Sequence, residues 1–230
     1  MNNIFAMGAC RIQQAIQTLG YPINKCWYYT HTLSQAIQAC KLFRGDLSYP
    51  DGIYDLVKIQ GNPNYPAHPK MENLIQNFNK AKTVFLEIQT NKNYEYNGFF
   101  LNQECKEAKE INGIKLYQDS KEDLINKMSI VEELYHCQVV FVPHVFCDNW
   151  LLSMPGLVVR KLIEEAVIEF CSNKPSRLMF RPSILVNEYG DKMMLTTKDG
   201  KVDANHYSDF GRTIVAQEFK KIIEKAIGFL

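Results

Sequence analysis

Residues 3–19 read NIFAMGACRIQQAIQTL, and the fold follows from how this stretch is built. Asn3–Met7 is a short apolar run of strand composition, after which Ile12, Ala15, Ile16 and Leu19 repeat at helical spacing. Between them Gly8, Ala9 and Cys10 make a strand-to-helix turn, with the glycine supplying the backbone freedom a tight turn demands. Further strand candidates follow at Lys25–Thr30, Asp55–Gln60, Thr83–Ile88, Gln138–Pro143 and Arg177–Phe180. Helical spacing returns at the far end with Val215, Phe219, Ile222 and Ala226. The alternation predicts a single α/β domain over 1–230: a doubly wound, mostly parallel sheet of five to six strands, flanked by helices as a three-layer sandwich.

Two segments depart from the alternation. Residues 92–130 read as an insertion, with EYNGFF forming a hairpin around Asn97-Gly98 and KEAKE a solvated charge run. A surface decoration is its plainest role, and a lid over the site is the alternative. Residues 184–202 carry turn signals at Tyr189-Gly190 and Asp199-Gly200 and predict a second hairpin or irregular excursion.

A hydrophobic content of 46% suffices for a substantial core, and 26 basic residues against 25 acidic ones leave no global field to attract nucleic acid or an anionic membrane. The opening MNNIFAMGACRI has no charged segment leading into a long apolar one, and no run approaches the roughly 18–20 apolar residues of a membrane helix. The expectation is a soluble, unexported protein with no membrane partner. Seven cysteines, an odd number without a C-x-x-C pair, suggest neither a disulfide framework nor a metal site, and the expected compartment is the cytoplasm.

Cys10 is the cysteine with a chemically suggestive setting. The C-terminal edge of a parallel sheet is where open α/β folds place their ligands. A helix N-terminus there favours a thiolate and offers N–H groups to an oxyanion. Arg11 beside it is a candidate to lower the thiol pKa or grip an anion. Near the other end, VDANHYSDFG places Asp203 three residues before His206, in a loop entering the last helix near Ser208 or Asp209. A carboxylate on one ring nitrogen fixes the tautomer of a catalytic histidine. His144, after the buried run QVVFVP, reaches the same sheet edge, as do Arg160 and Arg181, where an anionic ligand would lie. His31 suits a turn or cap, while His68 and His136 have no suggestive company. A dinucleotide-binding module is disfavoured, because the first turn offers one glycine where that fingerprint needs three.

Taken together, the two ends resemble the SGNH/GDSL hydrolases, which carry a G-D-S turn after the first strand and a D-x-x-H block before the last helix. Here Gly8-Ala9-Cys10 and Asp203-Ala204-Asn205-His206 stand in those places. Asn91, after VFLEI, matches the asparagine of the family's G-x-N-D block, and Gly45 or Gly61 is the candidate for its second-block glycine. The sequence departs at serine, which has become Cys10, and at the turn acid, which has become Ala9. It is closest to divergent branches with G-S-C or G-N-C first motifs, among them capsular-polysaccharide enzymes regarded as acyltransferases. The resemblance implies Cys10 as nucleophile, His206 as proton shuttle and Asp203 as its orienter. Asn91 and the Cys10 amide would stabilise the oxyanion, with Gly8, Arg11 and His144 on the substrate side. No resident cofactor is required. A coenzyme A thioester is a candidate acyl donor, since exchanging one thioester for another is nearly isoenergetic, and a carbohydrate is the expected other substrate. The alternative is a catalytically inactive domain of this fold that binds a glycan, a nucleotide-like ligand or a partner protein.

Overall fold

The computed structural model describes residues 4–50, 52–57, 71–103, 110–150 and 154–228. Five parallel strands form the main sheet: β1 (Ile4–Met7), β2 (Trp27–Tyr28), β3 (Thr83–Ile88), β7 (Gln138–Pro143) and β8 (Leu178–Met179), in the spatial order β2-β1-β3-β7-β8. The chain first moves outward from β1 to β2, then returns to the other side of β1 and continues to β8. The order therefore reverses between β1 and β3, and their C-terminal ends flank the crevice where doubly wound sheets bind ligands. β3 pairs with β1 and with β7, and all six of its residues are buried.

Side-chain alternation assigns the helices to two faces. Phe85 of β3 stacks on Phe219 of the last helix, α9 (Asp209–Gly228), which lies against α1 (Cys10–Thr18). On the opposite face Phe5 of β1 meets Phe43 of α3 (Leu33–Arg44) and Phe78 of α5 (Met71–Lys80). There too Phe141 of β7 meets Phe170 of α7 (Val158–Ser172), and α6 (Lys121–Leu134) packs between α3 and α7. Local chemistry ends these helices where the sequence supplies it. Thr32 caps α3 by accepting the Gln35 N–H, Gly45 closes that helix, and Ser120 with Asp123 forms a capping box on α6, each such cap contributing about 1 kcal/mol. Gly61, the other second-block candidate, lies outside the described residues.

Three expected elements differ. The strand expected over Asp55–Gln60 is helical where it is described, within α4 (Ile53–Val57), and the five sheet positions are filled without it. The run at Lys25–Thr30 contributes only Trp27 and Tyr28 to the sheet. Pro22 precedes the short helix α2 (Ile23–Cys26), and its carbonyl accepts the Lys25 and Cys26 N–H groups, holding both residues out of the strand. Residues 182–189, which overlap the start of the segment expected to be irregular, form helix α8 (Pro182–Tyr189), with proline in its first turn where a missing N–H costs nothing.

β4 (Lys92–Tyr96), β5 (Phe99–Phe100) and β6 (Lys115–Gln118) form a separate antiparallel sheet. The expected hairpin turns at Asn97 (φ 50°) and Gly98 (φ 82°), the two left-handed positions that match a two-residue turn to strand twist. Gln38 of α3 grips β5 by accepting the Phe100 N–H at 2.8 Å and donating to its carbonyl at 3.0 Å. The residues of KEAKE at 106–109 lie outside the described residues. A last hairpin, β9 (Met194–Thr196) and β10 (Val202–Tyr207), turns at the expected Asp199-Gly200 and leads into α9.

Helix α9 starts hard against the strap before β9. Ser208 donates its N–H to the Met193 carbonyl at 3.0 Å and accepts the Gly211 N–H on its Oγ at 3.0 Å. A side chain at Gly211 would run into the Met193 carbonyl. Gly211→Ala should therefore destabilise the protein by about 1–3 kcal/mol despite alanine's better helix propensity. Urea titration checks this, and an unchanged or raised midpoint would contradict the packing.

Candidate active site

The turn after β1 is bonded on every side. Gly8 donates its N–H to the Tyr28 carbonyl at 3.1 Å, and its own carbonyl accepts the Trp27 indole N–H at 3.0 Å. The Ala9 N–H donates to Glu87 Oε2 at 2.9 Å. Gly8 has φ +147°, and a Cβ there would lie 2.5 Å from the Glu87 Cβ and 2.9 Å from its Oε2, so both the conformation and the close approach require glycine. Ala9 is the N-cap of α1 and offers no side-chain cap. The amides that follow open α1 at the positive end of its dipole.

Beneath this turn lies a buried polar cluster. Glu87, at the end of β3, and Arg11, in the first turn of α1, are 3% and 1% exposed in a layer otherwise built of Phe85, Phe219 and their neighbours. Arg11 donates to Glu87 Oε1 from Nη2 at 2.8 Å and from Nε at 3.2 Å. His144 completes the cluster, with Nε2 at 2.6 Å from Arg11 Nη2 and Nδ1 at 3.1 Å from Glu87 Oε1. Arginine can only donate and a carboxylate can only accept, so this geometry selects the neutral imidazole with its hydrogen on Nδ1. The one negative and one positive charge then cancel inside the cluster.

The D-x-x-H segment comes to the same place. It lies on β10 as a bulge, where Asp203 pairs with Leu195 and Tyr207 with Met194, so residues 204–206 have no partners in the two-stranded register. The expectation of a loop is corrected to this bulged strand. The bulge is anchored at the Ala204 carbonyl, which accepts from Arg11 at 3.4 Å and from Arg160 at 2.8 Å. Arg160 also donates to the Val145 carbonyl at 3.1 Å and to Asn205 Oδ1 at 2.6 Å. Burial first, and the Arg11 charge next, lower Arg160 to about 9. The Tyr207 ring lies under the Arg11 guanidinium, 5.6 Å from its centroid, and burial pushes its phenol well above the ordinary range, keeping it neutral.

Within the bulge His206 Nδ1 lies 2.7 Å from Asp203 Oδ2, while the Asn205 N–H donates to Asp203 Oδ1 at 2.8 Å. The carboxylate accepts, so Nδ1 carries the hydrogen and Nε2 is left as the basic nitrogen. Burial alone would raise the Asp203 pKa, but the hydrogen bonds from His206 and Asn205 and the charges of His206 and Arg11 outweigh it and hold the carboxyl below its ordinary range.

Of the remaining expected residues, Asn91 is buried and donates its side-chain N–H to the Asp119 carbonyl at 2.7 Å, fastening the start of β4 to the end of β6. His31 lies beyond β2, where its carbonyl accepts the Gln89 and Thr90 N–H groups. Arg181 pairs with buried Glu164 at 2.7 Å, and His136 is exposed. His68 lies outside the described residues. Glu87 escaped the sequence reading, although one signal pointed to it: a carboxylate in TVFLEI, an otherwise apolar run of the kind buried on both faces. Among the described residues no group of three histidine, cysteine or acidic side chains is arranged to hold a metal, and no helix is long and apolar enough to cross a membrane.

Residues 2–110 match the family model of the TviD N-terminal domain. The matched part contains the Gly8–Cys10 turn, Glu87 and Asn91, whereas His144, Arg160, Asp203 and His206 lie beyond it. No curated protein matches the chain.

Burial separates the thiols. It pushes Cys26 and Cys40 up to about 11 and Cys137 and Cys171 to about 12; Cys137 is half-buried like Cys10, and of these five Cys10 alone lies at a helix N-terminus. Brief iodoacetamide treatment of the native protein near neutral pH should label Cys10 well ahead of these four, as peptide mass spectrometry would report; equal labelling would contradict the geometry. Because the folded Asp203 pKa is depressed, its pairing stabilises the protein above the ordinary value of 3.8 and is lost as pH falls through the lower folded value. The stability advantage of the parent over Asp203→Asn should accordingly be present near neutrality and shrink as pH drops below 3.8 in urea titrations.

Proposed function

We propose that the chain is an acyl-transfer enzyme, an esterase or O-acyltransferase acting on an acylated or acyl-accepting carbohydrate through Cys10, His206 and Asp203. The observation that carries this reading is the anchoring of the D-x-x-H bulge to the nucleophile turn. Arg11 follows Cys10 directly, and its guanidinium donates to the Ala204 carbonyl between Asp203 and His206. A thiol at a helix N-terminus and an oriented imidazole on the same sheet edge are the parts that nucleophilic acyl transfer requires.

In the first step the Cys10 thiolate attacks the acyl carbonyl, the C–S bond forms, and the carbonyl oxygen takes up negative charge beside the amides opening α1. Collapse breaks the bond to the leaving alkoxide or thiolate, which takes its proton from the His206 imidazolium. A sugar hydroxyl or water then attacks the thioester, giving its proton to His206 Nε2 as Cys10 leaves. Asp203 holds the ring through both steps and stabilises its charged form. The second N–H of Asn91 is the side-chain candidate for the oxyanion. A coenzyme A thioester suits the donor role, because its acyl group passes to Cys10 as one thioester replacing another. The match to the TviD N-terminal domain model, connected with Vi capsular polysaccharide biosynthesis, supports a polysaccharide setting.

The engagement of the Asn91 amide by the Asp119 carbonyl favours a second reading, a domain of this fold that binds a glycan without turning it over. Intact-protein mass spectrometry after incubation with acetyl-coenzyme A or p-nitrophenyl acetate separates the two. Acyl transfer requires an acetyl adduct on Cys10 that vanishes in Cys10→Ala and accumulates in His206→Ala, where the second step is slowed by about 100-fold or more. A parent protein that never carries the adduct, or an adduct unaffected by Cys10→Ala, would overturn the proposal.

A further inference from the structure

We infer that Glu87 is a positioning residue of the transfer site, holding the nucleophile turn and, through Arg11, the Asp203–His206 bulge in one register. The inference rests on the acyl-transfer reading, since Cys10 and His206 are the groups it brings together. Three independent features converge on this carboxylate. Its two oxygens are divided between the two halves of the site: Oε2 takes the Ala9 N–H at the turn, and Oε1 takes Arg11 from Nη2 and Nε. The turn itself is shaped to admit it, because a Cβ at Gly8 would lie 2.5 Å from the Glu87 Cβ. His144 then closes the cluster, occupying Arg11 Nη2 and Glu87 Oε1 together.

The division matters because Arg11 is a planar fork. With Nε and Nη2 held on Glu87, Nη1 is directed to the Ala204 carbonyl. Arg11 and Ala204 are 193 residues apart in sequence, and this guanidinium connects the nucleophile turn to the bulge that carries the base. A buried ion pair contributes little net stability over an apolar substitute, so what Glu87 supplies is geometry. In the SGNH/GDSL turn that this sequence resembles, an acid is the neighbour of the nucleophile, whereas here Ala9 stands in that place and its N–H binds a carboxylate reaching over from β3.

Glu87→Gln tests the inference, because it keeps the shape and removes the charge. Amide hydrogen exchange should accelerate by about tenfold or more at residues 9–11 and 203–207 while β7 stays protected. Transfer kcat should fall by about 100-fold with KM nearly unchanged, as expected when reacting groups are misaligned. Measured in a His206→Ala background, where the imidazole makes no contribution, the pH midpoint of Cys10 alkylation should move down, because a negative charge has left a surrounding that also contains Arg11, Arg160, His144, Asp203 and Tyr207. A side chain that served packing alone would leave that midpoint in place. Unchanged exchange at 203–207, or an unmoved midpoint, would overturn the inference. Should Glu87→Gln fail to fold, Glu87→Gln/Arg11→Gln leaves no unpaired charge, and unchanged exchange at 203–207 in that variant would overturn it equally. Failure of the acyl-transfer reading is distinguishable: the parent would then form no acyl-Cys10, while the exchange and alkylation comparisons would still decide what Glu87 holds.

Discussion

The carboxylate of Glu87 and the guanidinium of Arg11 meet at 2.8 Å inside an apolar layer, at the point where the strand order reverses. Two charges withdrawn from water are tolerable only when their hydrogen-bonding capacity is spent on fixed partners. That constraint reaches outward in every direction: to the amide of Ala9, to the absence of a side chain at Gly8, to the tautomer of His144, and to the carbonyl of Ala204. The turn, the first helix and the terminal hairpin are located relative to one another because each satisfies part of this pair.

A site built this way places its proposed reactive groups at the rim and its polar scaffold below. Cys10 and His206 lie at the partly open edge, while Arg11, Glu87 and His144 are sealed beneath. The Arg11–Glu87–His144 scaffold is neutral as a whole, so the positive end of the α1 dipole lies beside it uncancelled. Arg160 adds a second strut, tying the bulge to the loop after β7 through the carbonyls of Val145 and Ala204. The separate sheet of β4–β6 is fastened to α3 through Gln38, and at its base through Asn91 and Asp119.

Much of this was legible in the residues. β3 and β7 coincide with the expected Thr83–Ile88 and Gln138–Pro143, because strands buried on both faces write uninterrupted apolar runs. Asn97-Gly98 declared its turn through the two positive φ angles only such a pair accepts readily. β2 is shorter than the run at Lys25–Thr30 suggests, since Lys25 and Cys26 at its start are held in a helix by the Pro22 carbonyl. The D-x-x-H motif was found, but its bulge was not, because three unpaired residues in a strand leave no periodicity to read. Glu87 was missed for a related reason: a lone acid in an apolar run gains meaning only when the turn, the arginine and the histidine come from three other places in the chain.

The central claim is that the thiol after β1 and the imidazole of β10 work as one unit. The most direct measurement is the pH dependence of Cys10 alkylation in the parent and in His206→Ala. An imidazolium beside a thiolate lowers the thiol pKa. The account therefore requires the midpoint to rise by about one unit or more when His206 is removed. Superimposable profiles would show that the two ends of the chain do not act on one another, and would contradict it.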